Sequence, residues 1–225
     1  NSMSNSGIKV IAYADDVGVI CQGKYPQTLC EIMDNALSIL SEWAIICGLG
    51  VNPNKTELVL FTRKYKIPKL IPPKLNNTNL IFSESAKYLG ITLDRKLNWN
   101  LNTIERIKKA NIALFACKTA IGKRWGFTPK TIHWIFTAVV RPILLYGVLV
   151  WWTSLTKLST LKSFQKVQRS AMLCITGVLR TVPSEALSTI LYLQPLISAI
   201  RLNASGEWSD HHIGHASITQ GSRYL

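Results

Sequence analysis

Apolar and polar residues alternate on both sides of a polar pair in "IAYADDVGVI", Ile11 to Ile20, a period of two that predicts two β-strands joined by a tight turn, with Asp15 and Asp16 at its tip. The period then lengthens. Leu29, Ile32, Met33, Ala36, Leu37, Leu40, Trp43, Ala44 and Cys47 recur at helical spacing, with Pro26 in the first turn and Gly48 as the stop, so one long amphipathic helix is expected to pack on the sheet. A turn at Pro53 and Asn54 precedes an expected strand from about Glu57 to Thr62, and a basic, proline-rich connector covers Arg63 to Leu75. Two short strands are expected near Leu80 to Phe82 and Lys87 to Leu93. From Asn100 onward the pattern is helical, with helices read at Leu101 to Ile121, Pro129 to Val140, Pro142 to Trp152, Leu158 to Val178, Ser184 to Leu193 and Pro195 to Ser205. The fold class is therefore α+β, an α/β front followed by a mostly helical rear.

Composition adds a polarity to this order. The 225 residues are 48% hydrophobic, enough for a sizeable core, and carry a formal charge of +14. Up to Thr62 the chain has three Lys and Arg against six acids; from Arg63 onward it has 23 against six. Acidic residues all but vanish between Glu105 and Glu185, while Arg106, Lys108, Lys109, Lys118, Lys123, Arg124, Lys130, Lys157, Lys162, Lys166 and Arg169 recur between apolar helical positions. Ordinary salt-bridged surfaces do not account for such a run, which favours a polyanionic partner, either nucleic acid or an acidic membrane surface.

Other classes are disfavoured. The five cysteines are odd in number and widely spaced, with no CxxC pair, and read as reduced core residues rather than a disulfide framework or zinc ribbon. "WIFTAVVRPILLYGVLVWW", Trp134 to Trp152, is long enough to span a bilayer, but Arg141 and Pro142 at its middle argue against that, and no membrane is expected. "DHHIGH", Asp210 to His215, offers three imidazoles without a cysteine or firm helix, and reads as a polar linker in preference to a zinc site.

Asp15 and Asp16 carry the candidate chemistry. Adjacent like charges repel, and where Gly would be usual in such a turn a second Asp suggests that a cation offsets the repulsion. Tyr13-Ala14-Asp15-Asp16, the segment around Asn52, Lys55 and Thr56, Tyr88-Leu89-Gly90, and "RPILLYGVLVWW" with "KVQRSAMLCITG" together resemble, in order and spacing, the palm and thumb of a reverse transcriptase of the non-LTR (LINE-type) retrotransposon class. The resemblance covers almost the whole chain. It implies a partial polymerase palm, residues 1–99, with the catalytic hairpin and primer grip, then a helical thumb and connection over 100–205 and a linker over 206–225 toward a ribonuclease H domain.

The resemblance also implies roles. Two Mg²⁺ (or Mn²⁺) ions would serve nucleotidyl transfer, with Asp15 as direct ligand and Asp16 at the edge of the shell. Lys55 would reach the triphosphate, and Tyr13 would lie near the primer terminus. Tyr88, Leu89 and Gly90 would grip the primer, with Lys87, Arg95, Lys96 and Trp99 around them; Lys108, Lys109, Lys123 and Arg124 would contact the duplex. The partners implied are an RNA template, a DNA primer and dNTPs, in a eukaryotic nucleus. A complete palm has a further catalytic aspartate on an earlier strand, and none precedes Asn1, so this chain alone is expected to bind metal poorly and polymerise nothing. The alternative reading is a non-catalytic nucleic-acid-binding remnant or domesticated element.

Overall fold

The structure is a computed structural model that describes residues 7–119, 126–196 and 198. The chain divides into two compact units, Asn1–Glu105 and Arg106–Leu225. The first mixes short antiparallel hairpins with one long helix, and the second is helical, a mixed α+β fold.

In the first unit β1 (Ile8–Tyr13) pairs antiparallel with β2 (Asp16–Cys21), in the register Ile8 with Cys21 through Tyr13 with Asp16. Helix α1 (Pro26–Ile46) follows. It starts with Pro at its first position, where a missing N–H costs nothing, and ends before Gly48 at φ +70°. Leu37 on α1 packs with Leu75 and Leu80, and Met33, Leu40, Val51 and Leu58 close around this cluster. Leu75 lies in, and Leu80 just after, a miniature hairpin, β3 (Lys74–Leu75) and β4 (Thr78–Asn79). Its loop residues Asn76 and Asn77 both take positive φ, +49° and +61°, as a type I′ turn demands and as Asn tolerates.

Three strand expectations change, the first being Leu80 to Phe82, which is no strand and pairs only through an isolated bridge at Phe82. Glu57 to Thr62 forms no ladder among the described residues; Leu58 makes a single parallel bridge to Phe82, and the N–H of Thr62 donates to the Arg95 carbonyl at 3.1 Å. The alternation in "ELVLF" is real, but extended chain held by isolated bonds satisfies it as well as a strand does. The stretch Lys87 to Leu93 is a hairpin, β5 (Ser85–Tyr88) and β6 (Ile91–Asp94), which turns at Leu89 and Gly90. Both turn residues have positive φ, +46° and +75°, again the type I′ pattern. Leu in that position is strained, which is why the sequence reads as one strand. Asp94 then organises the exit: its carboxylate accepts the backbone N–H groups of Lys96, Asn98 and Trp99 at 3.1, 2.8 and 2.7 Å. Helix α2 (Asn100–Thr119) begins there.

In the second unit α3 (Pro129–Ile135) runs through a π-helical turn, Phe136–Val140, into α4 (Arg141–Leu145). Pro142 lacks an N–H and its ring would crowd the carbonyl four residues back; a widened turn just before it relieves both problems. Gly147, at φ +63°, breaks the helix before α5 (Val148–Trp151) and a 3₁₀ turn over Trp152–Thr156. Across these breaks Ile132, Phe136, Val140, Leu144 and Val148 keep a spacing of four and are buried, as is Trp151, which meets Phe164 of α6 (Leu158–Thr176) with ring centroids 5.7 Å apart. The expected helix 142–152 is thus two short pieces, with the Trp151 indole N–H donating to the Tyr146 carbonyl freed at the break, 3.0 Å away. Among the described residues no single helix is long and apolar enough to cross a membrane; the pair Pro129–Leu145 and Val148–Thr156 passes jointly but bends by 45°. Helix α6 stops at Gly177 (φ +65°), and α7 (Ser184–Ile190) completes the described helices longer than a turn.

Candidate active site and nucleic-acid interface

The hairpin register leaves only Ala14 and Asp15 in the loop of β1 and β2, so a two-residue turn presents the acids. Ala14 has φ +53° and Asp15 is not in the positive-φ region, the type II′ pattern that ordinarily takes Gly first. A side chain in that conformation costs about 1 to 2 kcal/mol. The fold holds this strain in order to keep a very tight turn. Asp15 lies in the loop, Asp16 opens β2 opposite Tyr13, and all three are exposed. Both carboxylates are therefore open to a ligand from solvent.

Tyr88 ties the second hairpin to this one. A methyl group added at Gly18, in the middle of β2, would lie 3.7 Å from Cε2 and 3.9 Å from Cζ of Tyr88. The ring thus covers a strand position that has no side chain of its own. Its hydroxyl is buried, with no hydrogen-bond partner among the described residues. The Leu89-Gly90 turn follows immediately, so Tyr88 fixes where that turn stands relative to the paired acids.

The β5–β6 hairpin is held from outside by three groups. The Glu57 carboxylate accepts the Lys87 backbone N–H at 2.8 Å. Glu105 of α2 accepts Lys87 Nζ at 3.0 Å with one oxygen and the Thr92 hydroxyl at 2.8 Å with the other. One turn earlier, Asn102 Oδ1 accepts the Thr92 N–H at 3.3 Å. Sequence inspection finds Lys87 but not these partners, because pairing across elements leaves no local spacing signal.

Lys55 closes a 3₁₀ turn, Pro53–Lys55, whose shape is set by Asn52: its side chain accepts the Asn54 N–H at 2.9 Å and its carbonyl accepts the Thr56 hydroxyl at 2.9 Å. The lysine is exposed, and among the described residues no ion pair joins it to Asp15 or Asp16. Lys96, Lys108 and Lys109 are exposed. Arg106 is buried and stacks over the Tyr146 ring at 4.6 Å, and Arg169 donates to the Arg180 and Val182 carbonyls at 2.6 and 2.9 Å and to the Ser184 hydroxyl. These two arginines of the basic helical run serve packing, not a free surface. Lys123, Arg124 and the segment 206–225, with its histidines, lie outside the described residues.

Among the described residues no group of three or more His, Cys, Asp or Glu side chains converges on a metal position. Two exposed carboxylates do suit Mg²⁺, which keeps several waters and is commonly held by one or two carboxylates together with substrate phosphates.

Comparison with known proteins adds an independent line. Residues 1–93 match the family model described as reverse transcriptase (RNA-dependent DNA polymerase). The chain is 23% identical over 187 residues to the Retrovirus-related Pol polyprotein from type-1 retrotransposable element R1 of Nasonia vitripennis, covering 81% of this chain and 56% of that protein. It is 27% identical over 206 residues to the Probable RNA-directed DNA polymerase from transposon BS of Drosophila melanogaster, 92% of this chain and 22% of the relative. With the RNA-directed DNA polymerase from mobile element jockey, also of Drosophila melanogaster, it shares 26% over 147 residues, 64% of this chain and 16% of the relative. The chain thus spans between about half and about a sixth of the length of these relatives. No solved structure matches it significantly. The front of the chain, with its Asp15-Asp16 turn, thus matches the reverse transcriptase family model, and similarity to retrotransposon polymerase proteins runs on through most of the helical rear.

Proposed function

We propose that this chain is the distal palm and helical thumb of an RNA-directed DNA polymerase from a non-LTR retrotransposon. The observation that carries the reading is the coincidence of the exposed Asp15-Asp16 turn with the region that matches the reverse transcriptase family. In that role the larger protein joins deoxynucleotides to a DNA 3′-hydroxyl on an RNA template, forming a new phosphodiester bond and releasing pyrophosphate.

Asp15 and Asp16 would hold divalent metal, Mg²⁺ or Mn²⁺. Such ions offset charge on the attacking and leaving oxygens of nucleotidyl transfer. Lys55 contributes a cation toward the triphosphate, where charge builds on the leaving group. Tyr13 offers its ring, 66% exposed, to the primer end. The Tyr88-Leu89-Gly90 turn guides the primer backbone, and Lys96, Lys108 and Lys109 contact duplex phosphates, with Lys123 and Arg124 assigned the same task from sequence. Lys87, paired with Glu105, serves chiefly to hold its hairpin.

Primer extension on an RNA template with a DNA primer, dNTPs and Mg²⁺, in a polymerase that contains this chain, tests the reading. Asp15→Asn is expected to give no extended product. Extension at a near-wild-type rate would refute it.

A further inference from the structure

We infer that the connector Arg63 to Lys69 is a binding site for single-stranded nucleic acid, with Tyr65 as the stacking platform. This site is separate from the paired acids and does not depend on their metal chemistry.

Tyr65 is 88% exposed, between Lys64 and Lys66, with Arg63 and Lys69 close in sequence. Apolar residues of the same connector behave differently. Ile67 and Leu70 turn inward, half-buried, and line a cleft with Leu60 and Phe82. The chain has an apolar surface beneath the connector and leaves the aromatic ring outside it.

The connector is anchored at both ends. The Thr62 N–H donates to the Arg95 carbonyl and the Arg95 guanidinium donates to the Lys64 carbonyl, each at 3.1 Å. At the other end the Ile71 N–H donates to Gln27 at 3.2 Å and the Lys74 N–H donates to Asp34 at 2.6 Å. Tyr65 is therefore presented from a tethered backbone, which lowers the ordering cost of binding.

Charge selects the partner. No acidic residue lies between Glu57 and Glu84, and both of those are engaged, Glu57 with the Lys87 N–H and Glu84 with Arg95. Among the described residues Arg63, Lys64, Lys66 and Lys69 form no ion pair. Four unopposed cations around one open aromatic face match a chain of phosphates with unpaired bases. A duplex hides its base faces and would use only the cations.

Fluorescence anisotropy of the full chain with a labelled single-stranded oligonucleotide and with a blunt duplex tests this. Tyr65→Ala is expected to weaken single-strand binding by about tenfold while duplex affinity is unchanged, and Tyr65→Phe to retain wild-type binding. The double variant Lys64→Gln/Lys66→Gln is expected to lower the salt slope of single-strand binding by about 1.4. Tyr65 packs on little, so circular dichroism should show both variants folded. Single-strand affinity within twofold of wild type for Tyr65→Ala would overturn the inference, as would equal losses on both nucleic acids, no single-strand binding at all, or Tyr65-dependent binding to phosphatidylserine vesicles alone. Tyr65 dependence would survive even if Asp15→Asn left primer extension intact, so the two readings fail separately.

Discussion

The ring of Tyr88 covers Gly18, with Cε2 3.7 Å from where a methyl group at residue 18 would sit. One contact therefore joins the hairpin that bears the paired acids to the hairpin that turns at Leu89 and Gly90. A methyl fits at ordinary contact distance, so Gly18→Ala is expected to be neutral or mildly stabilising, since Gly in a strand costs about 0.5 to 1 kcal/mol relative to Ala. Gly18→Leu must displace the ring and is expected to cost about 1 to 3 kcal/mol. Tyr88→Phe removes a buried hydroxyl that has no partner among the described residues and should not destabilise the chain, whereas Tyr88→Ala should cost about 2 to 3 kcal/mol. Urea midpoints for the four variants check the ordering; a Tyr88→Phe loss as large as that of Tyr88→Ala would reject it.

The basic residues of the rear sort into two kinds. Lys108 is exposed, while Arg106 is buried against Tyr146 and Arg169 braces the carbonyls of Arg180 and Val182. Lys108→Gln is expected to keep stability and reduce the duplex salt slope by about 0.9. Arg106→Gln and Arg169→Gln should instead lower the urea midpoint, each by about 1.5 to 3 kcal/mol of stability, the first by losing the buried stack on Tyr146 and the second by leaving the Arg180 and Val182 carbonyls unmatched. Titrations at two salt concentrations together with melts separate the classes.

Burial pushes the thiols of Cys21, Cys30, Cys117 and Cys174 above the ordinary range, while Cys47 is exposed. A raised folded-state value means that the native chain keeps protons that the unfolded chain releases. The stability from these groups is then complete below the ordinary thiol value of about 8.5 and is lost as pH rises beyond it toward the raised folded-state values. Urea midpoints should thus be flat from pH 6 to 8 as far as thiols contribute and fall above that, and Cys117→Ala should shallow the fall. Iodoacetamide should modify Cys47 first, with Cys30 and Cys117 reacting only on unfolding; equal rates at all five would contradict the burial.

Much of this was legible because local rules agreed. The Asp15-Asp16 hairpin and α1 with its Pro26 start and Gly48 stop follow from period and capping residues, whereas α6 starts at Leu158 as expected but stops at Gly177, short of the expected Val178. The Leu89-Gly90 turn did not, since Leu at φ +46° breaks the usual turn chemistry and the hairpin is held by the Tyr88 contact and by Glu57, Asn102 and Glu105. Pro142 and Gly147 each signal a break, but the continuous stripe from Ile132 to Val148 masks the second one. For the site, residue type and spacing single out Asp15 and Asp16, while Lys55 enters only through the resemblance to reverse transcriptases. Which cations are already engaged, Lys87, Arg106 and Arg169, depends on partners far along the chain, and no window of sequence holds both members.

The direct test of the central claim is where Mn²⁺ acts on this chain. Amide NMR spectra of the 225-residue protein are recorded with Mn²⁺ raised to a large excess, so that the weak binding expected of the chain alone is populated, for wild type and for Asp15→Asn. Line broadening is expected to centre on Tyr13 to Val17 in wild type and to be lost in the variant. Broadening centred elsewhere, or unchanged by Asp15→Asn, would contradict the assignment of the paired acids as metal ligands.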